Sequence, residues 1–404
     1  MTAAVAHPAP AHMRRNVIVL SAAQALSMST AVLVFSVSAL AGATFGVDPA
    51  LVTLPLSLQM VATMLATFPL AHLMAKVGRR AGFSVGQLFG IAGGLVSMVA
   101  LNTGDFALFC AGGVLLGIHN ASWQFLRFAA AETSSESFRP RAISWVLAGG
   151  IVAAVIGGEL AKESREFLPA IFAGSYVATA LLAAACIGLL QLLRMPPLPR
   201  ASEEEGGRPF KQIAAQPAFI VAVLAAMFGY GVMSLEMVAT PLAMTMCGFS
   251  FNESAWVIQW HVLGMFVPSF FTGNLIKRFG VLPIIITGAL LNIACVAVAL
   301  AGVDLANFFL AMVILGVGWN FMYIGGTTLL TETYRPQERA KVQAFNDCMV
   351  FGAVALASFG SGAMQNALGW SAVNLFTIAP IGLSLMAALW LLMMRRRASA
   401  AQAA

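Results

Sequence analysis

The chain has 404 residues, of which 60% are hydrophobic and only 9% are charged. Soluble domains carry about a quarter charged residues, so this composition excludes an ordinary soluble protein and predicts a polytopic protein of the lipid bilayer. The net charge is +6, but the basic residues lie between apolar segments and not along one stripe, which excludes a nucleic-acid-binding surface.

Twelve apolar segments are long enough to cross a membrane as helices, which takes about 20 residues each. A polar tail, 1–15, precedes the first segment, which is too long for the hydrophobic core of a signal peptide. A second tail, 395–404, follows the last. The predicted spans are 16–41, 50–74, 83–102, 106–128, 142–160, 168–194, 217–243, 254–276, 281–301, 306–330, 342–364 and 371–394.

The basic residues predict the orientation of these spans. If the N-terminus is inside, every Lys and Arg except Lys162 and Arg165 falls in a cytoplasmic segment. Cytoplasmic loops of membrane proteins carry an excess of Lys and Arg. The sequence therefore predicts that both termini are cytoplasmic.

The chain also repeats itself at about half its length. The basic segment 78–80 after the second span is echoed by 277–280 after the eighth, and the Glu-Thr pair 132–133 after the fourth span is echoed by 332–333 after the tenth. A parallel repeat of this kind is found in transporters that bind their cargo near the bilayer midplane, between the repeats.

The repeat predicts two six-helix halves, 16–194 and 217–394, joined by a solvated cytoplasmic linker, 195–216. The linker is far too short for a nucleotide-binding domain. The sequence contains no P-loop, no Gly-x-Ser-x-Gly and no His-Glu-x-x-His motif. We therefore expect a secondary transporter that is not an enzyme.

Over nearly its whole length the chain resembles the major facilitator superfamily. That family's loop between helices two and three runs Gly-x-x-x-Asp-Arg-x-Gly-Arg-Lys/Arg, whereas here Ala75 replaces the acid and Lys76 replaces the first Arg. The resemblance implies an all-α membrane protein with twelve transmembrane helices in two pseudo-symmetric halves, and a monomer. It also implies that the two basic loops take part in gating. Their residues are Gly78, Arg79, Arg80, Lys277, Arg278 and Gly280.

Helix four carries a partly polar face. Its residues are His119, Asn120, Trp123 and Gln124, with His119 and Trp123, and Asn120 and Gln124, spaced i,i+4. Residues with this spacing share one side of a helix. We interpret this face as a wall of the transport cavity.

Two further i,i+4 pairs lie in consecutive spans: Met233 with Met237 in helix seven, and His261 with Met265 in helix eight. We call these four residues the Met/His quartet. Counted from the predicted outer ends, the two pairs lie at nearly the same depth. Thioethers together with an imidazole suit Cu(I), so the quartet predicts a copper site.

The alternative is packing. Met is a common filler of apolar helices, and 21 methionines produce some Met-x-x-x-Met pairs by chance. A Met pair alone would favour packing. Ionisable residues inside spans are rare and usually line a cavity, so the presence of His261 makes a metal site a stronger interpretation.

The same pattern resembles the signature of the CcoA-like bacterial copper importers, which supply copper to haem–copper cytochrome c oxidase in the inner membrane. Riboflavin-type importers share that fold but not these motifs.

Three sulfur-bearing residues follow the quartet's first pair near the outer end of helix seven: Met244, Met246 and Cys247. They are candidates for an entry relay, although an interfacial loop with incidental sulfur is slightly favoured.

Glu236 lies beside Met237 at a depth where a charged, unpaired carboxylate is costly. A proton-coupling group and a polar contact between helices are equally good interpretations of Glu236.

The sequence therefore predicts an importer that moves copper, as Cu(I), across the bacterial inner membrane by alternating access. We expect no permanently bound cofactor, and a cytoplasmic copper acceptor as partner. Two alternatives remain: a carrier of the same fold for an organic solute such as a riboflavin-like vitamin, with aromatic residues holding the ring, and a copper receptor or assembly factor that does not transport.

Overall fold

The structure is a computed structural model that describes residues 10–134, 139–195, 207–335 and 338–403. All regular elements within these ranges are helical. Nine of the described helices are long and apolar enough to cross a membrane. The last of them runs through Gly369, whose φ of 80° and ψ of 176° break the helix, so it contains two of the predicted spans. The chain divides into two compact units.

Unit 1 comprises Met1–Val47 and Leu54–Ala201. Its first helix packs on the fifth predicted span, its second on the fourth, and its third on both the fourth and the sixth. The helices of this unit are α1 Pro10–Ala43, α2 Leu54–Val77, α3 Arg79–Thr103, α4 Phe106–Trp123, α5 Leu126–Glu132, α6 Arg139–Ser164 and α7 Ala173–Leu190.

Unit 2 comprises Asp48–Thr53, which contains the 3₁₀ turn Pro49–Leu51, and Ser202–Ala404. Its helices are α8 Phe210–Ala214, α9 Pro217–Met246, α10 Phe251–Phe266, α11 Ser269–Phe279, α12 Val281–Ala301, α13 Leu305–Thr331 and α14 Arg339–Ala403.

The packing inside unit 2 repeats the packing inside unit 1. Helix α9 packs on α14, α10 packs on α13, and α12 packs on both α13 and α14. These pairs correspond to α1 with α6, α2 with α4, and α3 with both α4 and α7. The predicted all-α fold, with twelve membrane helices in two six-helix halves, is confirmed.

Three predicted spans differ from the observed helices. Span 254–276 is broken into α10 and α11 around Pro268, because proline removes a backbone donor and its ring clashes with the preceding turn. Span 106–128 is interrupted at Gln124, between α4 and α5. Span 168–194 is shortened, since α7 begins only after Phe172, whose φ of 67° is left-handed.

The described end of the predicted linker is partly packed on unit 2 and not fully solvated. Residues 207–216 contain α8, in which Ile213 is fully buried. The Phe210 ring lies 4.9 Å from the Phe345 ring and 5.9 Å from the Phe219 ring. Apolar burial therefore fixes this segment to unit 2, while the rest of the linker, 196–206, lies outside the described residues.

An ion pair holds the same segment. The Arg208 guanidinium donates to both carboxylate oxygens of Glu338, at 2.9 and 2.7 Å, and the Arg208 backbone N–H donates at 2.7 Å. The Glu338 side chain is fully buried. Hydrogen bonds from Arg208 hold the pKa of the Glu338 carboxyl well below its usual range.

Replacing Arg208 with glutamine is expected to lower the melting temperature at neutral pH, because it leaves a buried carboxylate without its partner. The folded-state pKa of Glu338 is depressed, so the pair stabilises the fold above the unfolded pKa of about 4.3 and this contribution is lost as the pH falls below it. The measurement is a thermal melt of both chains from pH 3 to pH 8, in which the difference should narrow in acid. Arg395→Gln breaks an exposed pair with Glu332 and is the control. An equal loss in both variants at every pH would contradict this account.

Candidate functional site

The first pair of the Met/His quartet lies on the side of α9 that faces α13. Met233 and Met237 are both buried, at 3% and 5% exposed. One turn before Met233, Gly229 packs so closely on Met322 of α13 that a Cβ would lie 2.9 Å from it. One turn after Met237, the Thr240 hydroxyl lies 3.3 Å from the Met312 sulfur of α13. Because residues three or four apart share one helix face, we infer that Met233 and Met237 also lie toward α13.

The second pair lies on the side of α10 that also faces α13. His261 is fully buried, and its Nδ1 donates to the Met312 carbonyl at 2.7 Å. The Met265 carbonyl accepts a hydrogen bond of 2.7 Å from the Asn320 amide. Gly316 provides the close approach, because a Cβ there would collide with the backbone of both His261 and Met265.

Residues beside both pairs therefore contact the same helix, α13. Helix α10 packs chiefly on α13, whereas α9 packs most extensively on α14 and next on α13. The two consecutive helices α9 and α10 make few contacts with each other, so they do not simply face each other. Met312, fully buried, connects them: its sulfur contacts α9 and its carbonyl binds His261 of α10. Met312 has no methionine or histidine partner at i,i+4 spacing, so the sequence carries no signal for it.

His261 has the hydrogen bonding of a ligand. Because the Met312 carbonyl can only accept, Nδ1 carries the proton and Nε2 carries a lone pair. That Nε2 is buried and has no hydrogen-bond partner among the described residues. An unpaired buried acceptor costs about 1–3 kcal/mol. A backbone carbonyl on Nδ1 that leaves Nε2 open is the arrangement that orients histidines toward metals.

Within the described residues, no three His, Cys, Asp or Glu side chains gather into a metal site. Any metal site at the quartet therefore depends on thioethers. Neutral sulfur and one neutral imidazole favour a soft monovalent cation such as Cu(I) over Zn²⁺ or Mg²⁺.

Glu236 points away from this arrangement. One carboxylate oxygen accepts a hydrogen bond of 3.2 Å from the Cys295 thiol of α12, and the other, Oε1, is buried and has no hydrogen-bond partner among the described residues. The side chain is 1% exposed. Glu236 is thus a buried polar contact between α9 and α12, and its coupling role remains a prediction.

Replacing Glu236 with glutamine tests the coupling prediction. Glutamine keeps an acceptor for Cys295 but cannot exchange a proton, so transport should continue while its dependence on external pH disappears. Initial uptake rates between pH 5.5 and 8 are the measurement. If the variant kept the native pH profile, Glu236 would be a structural contact only.

The predicted entry relay is not a single cluster. Met244 is fully buried, whereas Met246 and Cys247 are exposed at the end of α9. Positions i and i+2 lie on nearly opposite sides of a helix, which separates the two methionines. The Met246 sulfur instead contacts Gln365 of α14 at 3.5 Å.

The predicted face of helix four is also divided. His119 is fully buried against α3, where its Nδ1 would lie 2.8 Å from a Cβ added at Gly90. The Trp123 indole donates to Asn120 at 3.2 Å, and Gln124 lies in the break after α4. Both ring nitrogens of His119 are buried and have no hydrogen-bond partner among the described residues, and the role of this face as a cavity wall remains a prediction.

The two basic loops have the same backbone form. Gly78 and Gly280 have φ angles of 88° and 91°, values that favour glycine, and each ends one helix and begins the next. Arg79 pairs with Glu132 at 2.5 Å inside unit 1. The Arg278 guanidinium lies over the Phe279 ring. Arg80 and Lys277 complete the two loops, and their gating role remains a prediction.

A five-ring cluster, which the sequence analysis missed, lies in unit 2. Trp319 and Tyr323 of α13 stack with centroids 5.1 Å apart and planes 13° apart. Tyr230 of α9 meets both rings edge-on, at 5.4 and 5.3 Å, and Phe351 of α14 lies 6.1 Å from it. Phe266 of α10 meets Trp319 at 5.9 Å. We call these five residues the aromatic cluster.

Comparison with known proteins decides the family. The sequence model of the Major Facilitator Superfamily matches residues 19–258 and 233–404. This chain belongs to the major facilitator superfamily. Solved structures agree at the level of the fold: a bacterial homologue of the human lysosomal transporter Spinster gives a TM-score of 0.70 at 17% identity, covering 96% of this chain and 98% of that one. The human organic anion transporter MFSD10 gives 0.70 at 14% identity, covering 94% and 100%.

Curated relatives bear on the cargo. The riboflavin transporter RfnT of Brucella anthropi is 41% identical over 365 residues, covering 89% of this chain and 92% of the relative. An uncharacterised transporter of Bacillus subtilis, YddS, is 30% identical over 77% of this chain and 75% of the relative. The predicted membership of the copper-importer subfamily is not supported by these relatives, and the first of them favours the vitamin alternative over copper.

Proposed function

We propose that this chain imports copper, as Cu(I), through a site formed by Met233, Met237, His261 and Met265. The observation that carries the proposal is His261: its Nδ1–H is fixed on a carbonyl, and its buried Nε2 lacks a partner among the described residues. Thioethers on the α13-facing sides of α9 and α10 supply the remaining soft donors.

The donor set fits transport. Thioethers bind Cu(I) without adding charge to the membrane interior, and they are adaptable enough to release it. Alternating access of the two halves would expose the site first outside and then to a cytoplasmic acceptor. In this proposal the chain lies in a bacterial inner membrane with both termini cytoplasmic, and the copper supplies haem–copper oxidase assembly.

Riboflavin is the second candidate cargo. The observation that favours it is the 41% identity to a riboflavin transporter over nearly the full length of both chains. By overall similarity this candidate is the better supported of the two, whereas the chemistry of the quartet favours copper. The two cargoes share no donor chemistry, so one experiment separates them.

The test is uptake of radioactive copper and of radioactive riboflavin by cells that lack their own importers for each. The copper proposal predicts copper uptake that is lost in the His261→Ala chain. Riboflavin uptake that is unaffected by His261→Ala, with no copper uptake, would replace the proposal with the second candidate. Copper that binds purified protein but does not enter proteoliposomes would identify a receptor.

A further inference from the structure

The aromatic cluster lies at mid-depth in unit 2. Tyr230 is near the middle of α9, Trp319 and Tyr323 are near the middle of α13, and Phe351 is near the middle of the first helix of α14. Phe266 ends α10, halfway along the broken eighth span. Four helices thus direct rings to one level, and that level is where transporters of this architecture hold their cargo.

The cluster is partly open. Trp319 and Phe351 are 5% exposed, but Tyr230, Tyr323 and Phe266 are only half-buried. Membrane tyrosines that face lipid concentrate at the two interfaces, where the hydroxyl reaches water. Partly exposed tyrosines in the middle of spans are instead typical of a passage lined by protein and water.

The stacked pair offers a surface for a further flat ring. Trp319 and Tyr323 are one turn apart on α13 and nearly parallel, while Tyr230 and Phe266 meet them edge-on. Offset stacking and edge contacts are the preferred arrangements of aromatic rings. A planar ligand on the half-buried Tyr323 face would continue the stack and keep Tyr230 at its edge.

The cluster also contains an unused donor. The Trp319 indole N–H is buried and has no hydrogen-bond partner among the described residues. Buried tryptophans normally find an acceptor for this group. A ring that carries carbonyl oxygens would supply the missing acceptor.

We propose that the aromatic cluster binds the planar ring of an organic solute, of the class of the carbonyl-bearing isoalloxazine ring of flavins. This deepens the second candidate function, on which it rests, by giving the ring a site, and it is independent of the copper proposal, since the quartet and the cluster use different side chains. Phe266 directly follows Met265, so the ring site would adjoin the quartet in unit 2.

Riboflavin fluorescence tests the proposal on the purified full-length chain. Stacking against Trp and Tyr quenches flavin emission, so titration should give a saturable loss of fluorescence, and D-ribitol, which lacks the ring, should not compete. Trp319→Leu and, separately, Tyr323→Leu should each weaken binding by about tenfold or more. Trp319→Phe keeps a ring but loses the donor and should weaken binding by about threefold.

Trp256→Leu is the matched control. Trp256 also stacks in unit 2, on Phe309 at 4.7 Å, but it is 37% exposed and lies in the first turns of α10. Its replacement should leave riboflavin binding unchanged. The proposal is overturned if the native chain does not quench riboflavin, or if Trp319→Leu and Tyr323→Leu bind it as Trp256→Leu does. Cu(I) binding measured on the same samples reports on the quartet separately, so the two proposals fail independently.

Discussion

Replacing His261 with alanine is expected to weaken Cu(I) binding by about a hundredfold or more. Loss of a group that only orients a metal ligand costs about 10- to 100-fold in affinity, so loss of the ligand itself should cost at least as much. His261 supplies the only nitrogen of the proposed site, and its replacement leaves thioethers alone. The measurement is competition for Cu(I) against a colorimetric chelator, with purified chain in detergent.

His72→Ala is the control for this prediction, because His72 is exposed on α2 in unit 1. That variant should bind Cu(I) like the native chain. Because the Nδ1 bond to the Met312 carbonyl would also be lost in His261→Ala, a melting curve must accompany the titration. A folded His261→Ala chain with native affinity for Cu(I) would show that the quartet is packing.

Replacing Gly316 with alanine is expected to damage both stability and copper affinity. A Cβ at this position would collide with the backbone at His261 and Met265, which cannot move as a flexible side chain could. Overpacking of this kind costs about 1–3 kcal/mol. Because the collision is with the backbone that carries both ligands of α10, the affinity for Cu(I) should fall together with the melting temperature.

Gly352→Ala gives the opposite expectation in the same unit. Nothing lies within 4 Å of a Cβ added at Gly352, which is inside a helix of α14. Alanine is favoured over glycine in a helix by about 1 kcal/mol, so this variant should be as stable as the native chain or slightly more so. If Gly316→Ala behaved in the same way, α10 and α13 would not be packed as described.

Most of the fold could be predicted from the sequence because long apolar segments identify membrane helices. Span 281–301 coincides with α12, and α9 differs from its prediction by only three residues at the C-terminal end. The break of the eighth span at Pro268 also had a signal, since proline inside a span interrupts a helix. The packing of the linker's C-terminal end could not be predicted from a local pattern, because the burial of Ile213 depends on neighbours far along the chain.

The site was harder to predict than the fold. Spacing identified the Met/His quartet, but the role of Met312 depends on a hydrogen bond to a carbonyl 51 residues from His261, which no local pattern encodes. For His119 the local pattern was incomplete. Its spacing predicts a place on a polar face of helix four, but the ring is buried against α3, where Gly90 leaves room for it. Trp319 and Tyr323 are spaced i,i+4, but only the approach of α9 and α10 makes them part of a cluster.

X-ray absorption spectroscopy of the full-length chain loaded with one equivalent of Cu(I) shows directly whether the quartet binds copper. We expect a copper ion coordinated by sulfur and a single imidazole nitrogen, with the nitrogen contribution lost in the His261→Ala chain and the sulfur contribution reduced in Met233→Leu. A copper environment without sulfur, or one that is identical in the native and His261→Ala chains, would contradict this expectation.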